Sequence, residues 1–102
     1  MRKVRKTRKS SSATPRRPQP ALYTRSVICT LSGISDTQLS LWEFEQFVSH
    51  SAVMELDGRA EPVYDDAALR RIRTIRSLAE DLGINLPGIG AVLHLLEQLD
   101  SR

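Results

Sequence analysis

Residues 23–48 read YTRSVICTLSGISDTQLSLWEFEQFV, and this stretch decides the fold. Thr24 can cap a short helix, and Gly33 supplies the left-handed residue that ends it. Ser35 begins a second helix, because Gln38 follows three residues later and completes a capping-box pattern. Two helices joined by so short a turn predict a helix-turn-helix unit.

The apolar residues of this unit fall at helical spacing. Leu39 and Trp42 share one stripe, so we expect Trp42 to anchor the core rather than to serve as a binding platform. Cys29 stands between Ile28 and Leu31, and we expect a buried structural thiol there.

The segment after the unit changes to strand character. Asp57-Gly58 is a two-residue hairpin signal, with a strand expected on either side of it. Pro62 is expected to confine the second strand to a sheet edge, since proline has no N–H for a second ladder.

Two more helices follow the hairpin. Asp65 is the expected cap of the third helix, and Gly83 its end. Its predicted apolar stripe consists of Leu69, Ile72, Ile75, Ala79 and Leu82. Asn85 and Pro87 open the fourth helix. Its predicted broad apolar face contains Ile89, Val92, Leu93, Leu96 and Leu99, and part of that face is expected either to be buried or to meet a partner.

The predicted fold class is therefore all-α with a small β wing, a winged helix-turn-helix of about four helices plus a β-hairpin. The predicted domain covers residues 21–102, after a disordered basic tail at residues 1–20.

The net charge of +3 averages two unlike regions. Residues 1–20 hold eight bases and no acid, whereas residues 21–102 hold seven bases and twelve acids, a net charge of −5. The tail is open to three interpretations: a solvated segment, a weak phosphate-binding arm or a targeting segment. Its bases are Arg2, Lys3, Arg5, Lys6, Arg8, Lys9, Arg16 and Arg17.

Composition argues against several functional classes. One cysteine excludes a disulfide framework and suits a reducing cytoplasm, and no apolar run is long enough to span a membrane. His50 and His94 have no ligand at metal spacing, and no nucleophile or carboxylate pattern is present. We expect a cytoplasmic protein that is not an enzyme and has no cofactor or metal.

Several strings resemble a known superfamily. Residues 32–35 (SGIS), 42–48 (WEFEQFV) and 63–66 (VYDD) resemble the MerR-type winged helices. Residues 82–89 (LGINLPGI) are similar to a narrower group, the CbpM-type chaperone modulators, and partly to the HspR-type repressors. The resemblance covers about residues 23–100 and implies a regulatory module. In the CbpM-type branch it implies binding to the J-domain of a DnaJ-like co-chaperone.

The chain departs from the DNA-reading members of that superfamily. Ser40 stands where they usually carry an arginine, and Gln46 stands where they carry a glycine. Residues 35–48 contain three acids and no base, whereas DNA readers gather Arg, Lys, Asn or Gln. No long dimerisation helix is expected, so we predict a monomer or a weak homodimer.

The leading hypothesis is that the chain binds and restrains a J-domain. By the resemblance, a J-domain presents a basic helix to its Hsp70 partner, which an acidic surface would attract. The predicted partner-binding residues are Asp36, Glu43, Glu45 and Glu55.

The alternative hypothesis is a MerR-type transcriptional regulator that contacts DNA phosphates. Its nucleic-acid residues are the eight tail bases together with Arg70 and Arg73 on the third helix. A solvated helix face is the competing interpretation of Arg70 and Arg73. A third hypothesis is a structural module with another protein partner.

Overall fold

A computed structural model describes residues 21–100, and the predicted basic tail lies outside the described residues. These residues form four α-helices and one three-stranded antiparallel sheet, an arrangement compatible with a small winged helix-turn-helix. In chain order the elements are β1 (Leu22–Thr24), α1 (Arg25–Ser32), α2 (Asp36–Phe44), β2 (Ala52–Leu56), β3 (Arg59–Asp65), α3 (Asp66–Arg76) and α4 (Leu86–Asp100).

The caps predicted for the first two helices are confirmed. The side chain of Thr24 accepts a hydrogen bond from the Val27 amide, and Gly33 ends α1 with φ 73°. Ser35 and Gln38 form the predicted capping box, each side chain bonding the other residue's backbone amide at 3.1 Å. Local chemistry therefore sets the sharp turn between α1 and α2.

The end of α2 is a Schellman motif without glycine. The amide of Gln46 donates to the Glu43 carbonyl at 3.0 Å, and that of Phe47 donates to the Trp42 carbonyl at 2.9 Å. Gln46 has φ 65°, in the left-handed region that costs a residue with a Cβ about 1 kcal/mol. The position that the resemblance assigns to glycine thus has the backbone conformation that glycine favours.

The sheet corrects two expectations. Its order is β1-β3-β2, so Pro62 lies in the central strand and not in an edge strand. The short β1, which the sequence did not indicate, pairs only with residues 63–65 and stops before the proline. Pro62 is therefore paired on the β2 side alone, which is how a central strand tolerates it.

Helix α3 follows its predicted cap and stripe for three turns. Asp65 accepts from the Ala68 amide at 2.9 Å, and Leu69, Ile72 and Ile75 are buried. The backbone bonds to Ala68 hold the pKa of the Asp65 carboxyl below its usual value.

The predicted continuation of that stripe to Leu82 is wrong. Ser77–Asp81 is π-helical, and the Leu82 amide donates to the Ser77 carbonyl five residues back. The wider turn rotates the following residues relative to an α-helix, and Leu82 is 66% exposed.

Helix α4 buries less of its apolar face than the pattern suggested. Ile89 and Leu93 enter the core and Val92 is half-buried, but Leu95, Leu96 and Leu99 are exposed. Only the first half of α4 therefore contributes to the core.

One core joins all four helices to the sheet. Trp42 is 3% exposed, which confirms its expected role as an anchor, and Cys29 is buried as expected. Burial also raises the pKa of the Cys29 thiol. The most deeply buried large side chains are Tyr64, Ile28, Leu39, Ile72, Ile75 and Ile89.

Candidate partner-binding face

Arg25, at the first position of α1, connects three elements of the fold. Its Nη1 donates to Oε1 of Glu43 on α2 at 2.7 Å and to the hydroxyl of Tyr64 on β3 at 3.1 Å. Its Nε pairs with the carboxylate of Asp36, and its Nη2 donates to Ser40 Oγ at 2.5 Å. We call Arg25, Asp36, Ser40, Glu43 and Tyr64 the Arg25 network.

The charges of the network compensate one another. The Tyr64 hydroxyl donates to the second carboxylate oxygen of Glu43 at 2.6 Å, so both oxygens of Glu43 are engaged. Burial lowers the pKa of Arg25, but the hydrogen bonds to Glu43 and Asp36 outweigh it and raise the pKa overall. Burial and the hydrogen bond to Glu43 raise the pKa of Tyr64 to about 12. At neutral pH the network is a charged arginine held by two carboxylates and a neutral phenol.

The network decides how two of the predicted partner-binding acids are placed. Asp36 and Glu43 lie together around Arg25, and each is paired within the chain. Glu45, at the end of α2, and Glu55, on β2, are exposed and lie on different elements. Two of the four acids are therefore paired with Arg25, although Asp36 is itself exposed, and the other two are exposed carboxylates on separate elements.

The outward side of α2 carries apolar side chains and no basic residue. Phe44 is 82% exposed and Leu41 is also exposed, whereas Leu39 and Trp42 point into the core. Exposing an aromatic ring so fully leaves apolar area in water that a partner can cover. We call Leu41, Phe44 and the adjacent Glu45 the α2 face.

A groove of about 570 Å³ lies between the segment after α2 and the β2–β3 hairpin. Val53, Ala60 and Pro62 line its hairpin side, while Glu43 and Tyr64 of the Arg25 network line it where α2 and β3 meet. The groove therefore combines apolar walls with a satisfied polar network.

The arginines of α3 have mainly internal partners. Arg73 donates to the Leu31 carbonyl at 3.3 Å, and Arg76 donates to the Ser32 carbonyl at 3.4 Å, at the C-terminal end of α1. Cations there complement the negative end of the α1 dipole. Arg71 bonds the Phe47 carbonyl and Glu97, whereas Arg70 is exposed. The two α3 bases of the DNA hypothesis are both exposed, but Arg73 also donates a hydrogen bond to the end of α1.

Sequence reasoning missed the central and the most exposed residues of this region. No short motif identifies Arg25 as the centre of a network, because its partners lie 11 to 39 positions away in the sequence. Phe44 did leave a signal: it stands two residues from Trp42, off the buried stripe of α2. Together with the exposed Leu41 it forms a small apolar patch, which is a candidate binding surface.

Comparison with known proteins gives the class. The model of the MerR HTH family regulatory proteins matches residues 23–101 of the 102. The chain belongs to this family of helix-turn-helix regulators. No curated protein matches the sequence significantly. Within residues 21–100, no helix is both long and apolar enough to cross a membrane.

Proposed function

We propose that this MerR-family chain is a non-catalytic regulatory module of the CbpM type, which binds and restrains the J-domain of a DnaJ-like co-chaperone in the cytoplasm. The observation that carries the proposal is the α2 face, where the helix expected to read DNA presents an exposed Phe44 and Leu41 and no base. In this proposal the hairpin acts as the wing of a winged helix-turn-helix.

The electrostatics of α2 favour a protein partner over a nucleic acid. Recognition helices need cations or amides directed at phosphates and base edges. Among the described residues, Arg25 places its guanidinium against α2, and the carboxylates of Asp36 and Glu43 already hold it. A duplex placed against this helix would meet Glu45 and two apolar side chains instead.

The same features suit a basic amphipathic helix. Phe44 and Leu41 offer apolar area of the kind that forms the centre of protein interfaces, and Glu45 adds a carboxylate beside them. The net charge of −5 over residues 21–102 accelerates encounter with a basic surface. Covering the basic helix of a J-domain would keep it from its Hsp70 partner, so restraint follows from steric masking.

Calorimetric titration of the full chain with the J-domain of the organism's own DnaJ-like co-chaperone tests the proposal. We expect saturable binding that weakens at least about tenfold in Phe44→Ser. Leu82→Ser is the matched control, because Leu82 is also an exposed apolar residue and lies outside the α2 face. Wild-type affinity in Phe44→Ser, or an equal loss in Leu82→Ser, would contradict the proposal.

A DNA-binding regulator remains the second candidate, because the basic residues 1–20 offer eight cations to phosphates. Such binding does not depend on the DNA sequence, and the slope of log binding constant against log salt concentration is negative and at most about 7 in magnitude. A full-length variant with glutamine at all eight tail bases separates the two functions. Sequence-specific gel shifts that survive in this variant would favour the regulator, whereas J-domain binding that survives favours the modulator.

A further inference from the structure

The hairpin turns one of its two faces toward the groove. In the β2–β3 register, Val53 is opposite Pro62 and Glu55 is opposite Ala60. Paired residues share a face of the sheet, and successive residues alternate between faces. The apolar wall of the groove is therefore Val53, Pro62 and Ala60, and it ends at Glu55 toward the tip. Met54 lies on the opposite face.

The charges around the groove disfavour a phosphate-bearing ligand. Arg25 is the arginine that lines the groove, and the carboxylates of Asp36 and Glu43 already neutralise its charge. His50 also lines the groove, and Glu55 adds a carboxylate at the end of its apolar wall. A phosphodiester placed there would contact apolar side chains and approach Glu55.

The spacing along the wall is within about 2 Å of the spacing between neighbouring side chains on one face of a helix. Val53 and Glu55 are two strand residues apart, or about 7 Å. Residues three or four apart on a helix lie about 5–6 Å apart. An apolar side chain beside Val53 thus places a basic side chain, one helical turn away, near Glu55.

We propose that the groove is a second contact for the partner, and that it receives an apolar side chain of a partner helix whose basic residue, one turn further on, pairs with Glu55. The inference rests on the proposed function and names the chemistry that the groove selects. The groove and the α2 face are separate contacts, because Leu41 and Phe44 do not line the groove.

Substitutions on the two faces of β2 test this contact. Val53→Arg, in the full chain, places a cation and extra volume in the groove, and we expect affinity for the J-domain to fall at least about tenfold. Met54→Arg is the matched control, because it introduces the same side chain one residue away on the other face. We expect its affinity to stay within about threefold of wild type.

Glu55→Gln tests the basic position of the partner. We expect a loss of about threefold at low salt that disappears at high salt, because a rim charge acts mainly through screened attraction. A loss that is equal at both salt concentrations would overturn the pairing with Glu55.

The outcomes separate this inference from the proposed function. If Val53→Arg binds like wild type while Phe44→Ser is weakened, the groove is not a contact and the proposed function stands. If Val53→Arg and Met54→Arg are weakened equally, the selective role of the groove is overturned. If wild type does not bind the J-domain, the proposed function fails, and the proposal of a partner helix in the groove fails with it. Circular dichroism checks folding, and Val53→Ala, with an expected loss of about threefold, replaces Val53→Arg if that variant does not fold.

Discussion

Nη1 of Arg25 lies 2.7 Å from Oε1 of Glu43, and this pair joins the start of α1 to the C-terminal half of α2. Each side chain is about one quarter exposed, at 25% and 26%. The pair therefore lies between the surface ion pairs that contribute little and the buried ones that cost much to break. Within residues 21–100, the pair also compensates the charge of the arginine that contacts α2, a helix that has no Lys or Arg of its own.

Removing the arginine should destabilise the fold. We expect Arg25→Met to lower the free energy of unfolding by about 1–3 kcal/mol, because Glu43 and Asp36 lose their counter-charge. A double-mutant cycle with Glu43→Gln, measured by urea unfolding, should give a coupling energy of about 1 kcal/mol. The control is the exposed pair Arg59–Glu61, whose atoms are 3.5 Å apart and whose coupling should be near zero. Additive effects of Arg25→Met and Glu43→Gln would contradict the network.

The phenol of Tyr64 should lose its proton at a higher pH than an exposed tyrosine does. Its pKa is raised from 10.0 to about 12 by burial and by the hydrogen bond to Glu43. Because the folded state favours the neutral phenol, this contribution to stability is intact below about pH 10 and is lost as the pH rises toward 12. Phenolate absorbance in a Tyr23→Phe background reports Tyr64 alone. A midpoint near 10 in the folded protein would contradict the burial and the bond to Glu43.

Glycine at position 46 should stabilise the protein. Gln46 adopts φ 65° at the end of α2, where a Cβ is strained and glycine is not. We expect Gln46→Gly to raise the free energy of unfolding by about 1 kcal/mol. Glu45→Gly is the neighbouring control, because φ is −76° there and the added backbone freedom should destabilise. A loss of stability in Gln46→Gly would show that its side chain makes a compensating contact.

The π-helical segment predicts unequal effects along one apparent stripe. Ile75 is fully buried, so Ile75→Ala should cost about 2–5 kcal/mol. Leu82→Ala should cost less than about 0.5 kcal/mol, because its side chain is already in water. Comparable losses in thermal or urea unfolding would mean that the helix keeps its α-helical phase through residue 82.

The features that could be predicted from the sequence are those fixed by neighbouring residues. The caps at Thr24, Ser35 and Asp65 and the turn at Gly58 depend on side chains within three positions, so short motifs reveal them. The buried position of Trp42 followed from helical periodicity. Membership of the MerR-type superfamily followed from strings of the same local kind.

The features that escaped prediction depend on contacts across the chain or on a change of helical phase. Strand β1 exists because β3 offers it a partner some 40 residues away, and that partner also explains the place of Pro62. Periodicity alone cannot reveal the π-helical segment that exposes Leu82. The candidate site shows the same division. The acidic character of α2 could be predicted from its composition, but the pairing of Asp36 and Glu43 with Arg25 could not.

The most direct test of the α2 face is an amide chemical-shift titration of the full, isotope-labelled chain with unlabelled J-domain. We predict that the largest shifts cluster at Leu41, Phe44 and Glu45, with little change at Arg70 and Arg73. Shifts centred on Arg70 and Arg73, or no shifts at a saturating J-domain concentration, would contradict the account.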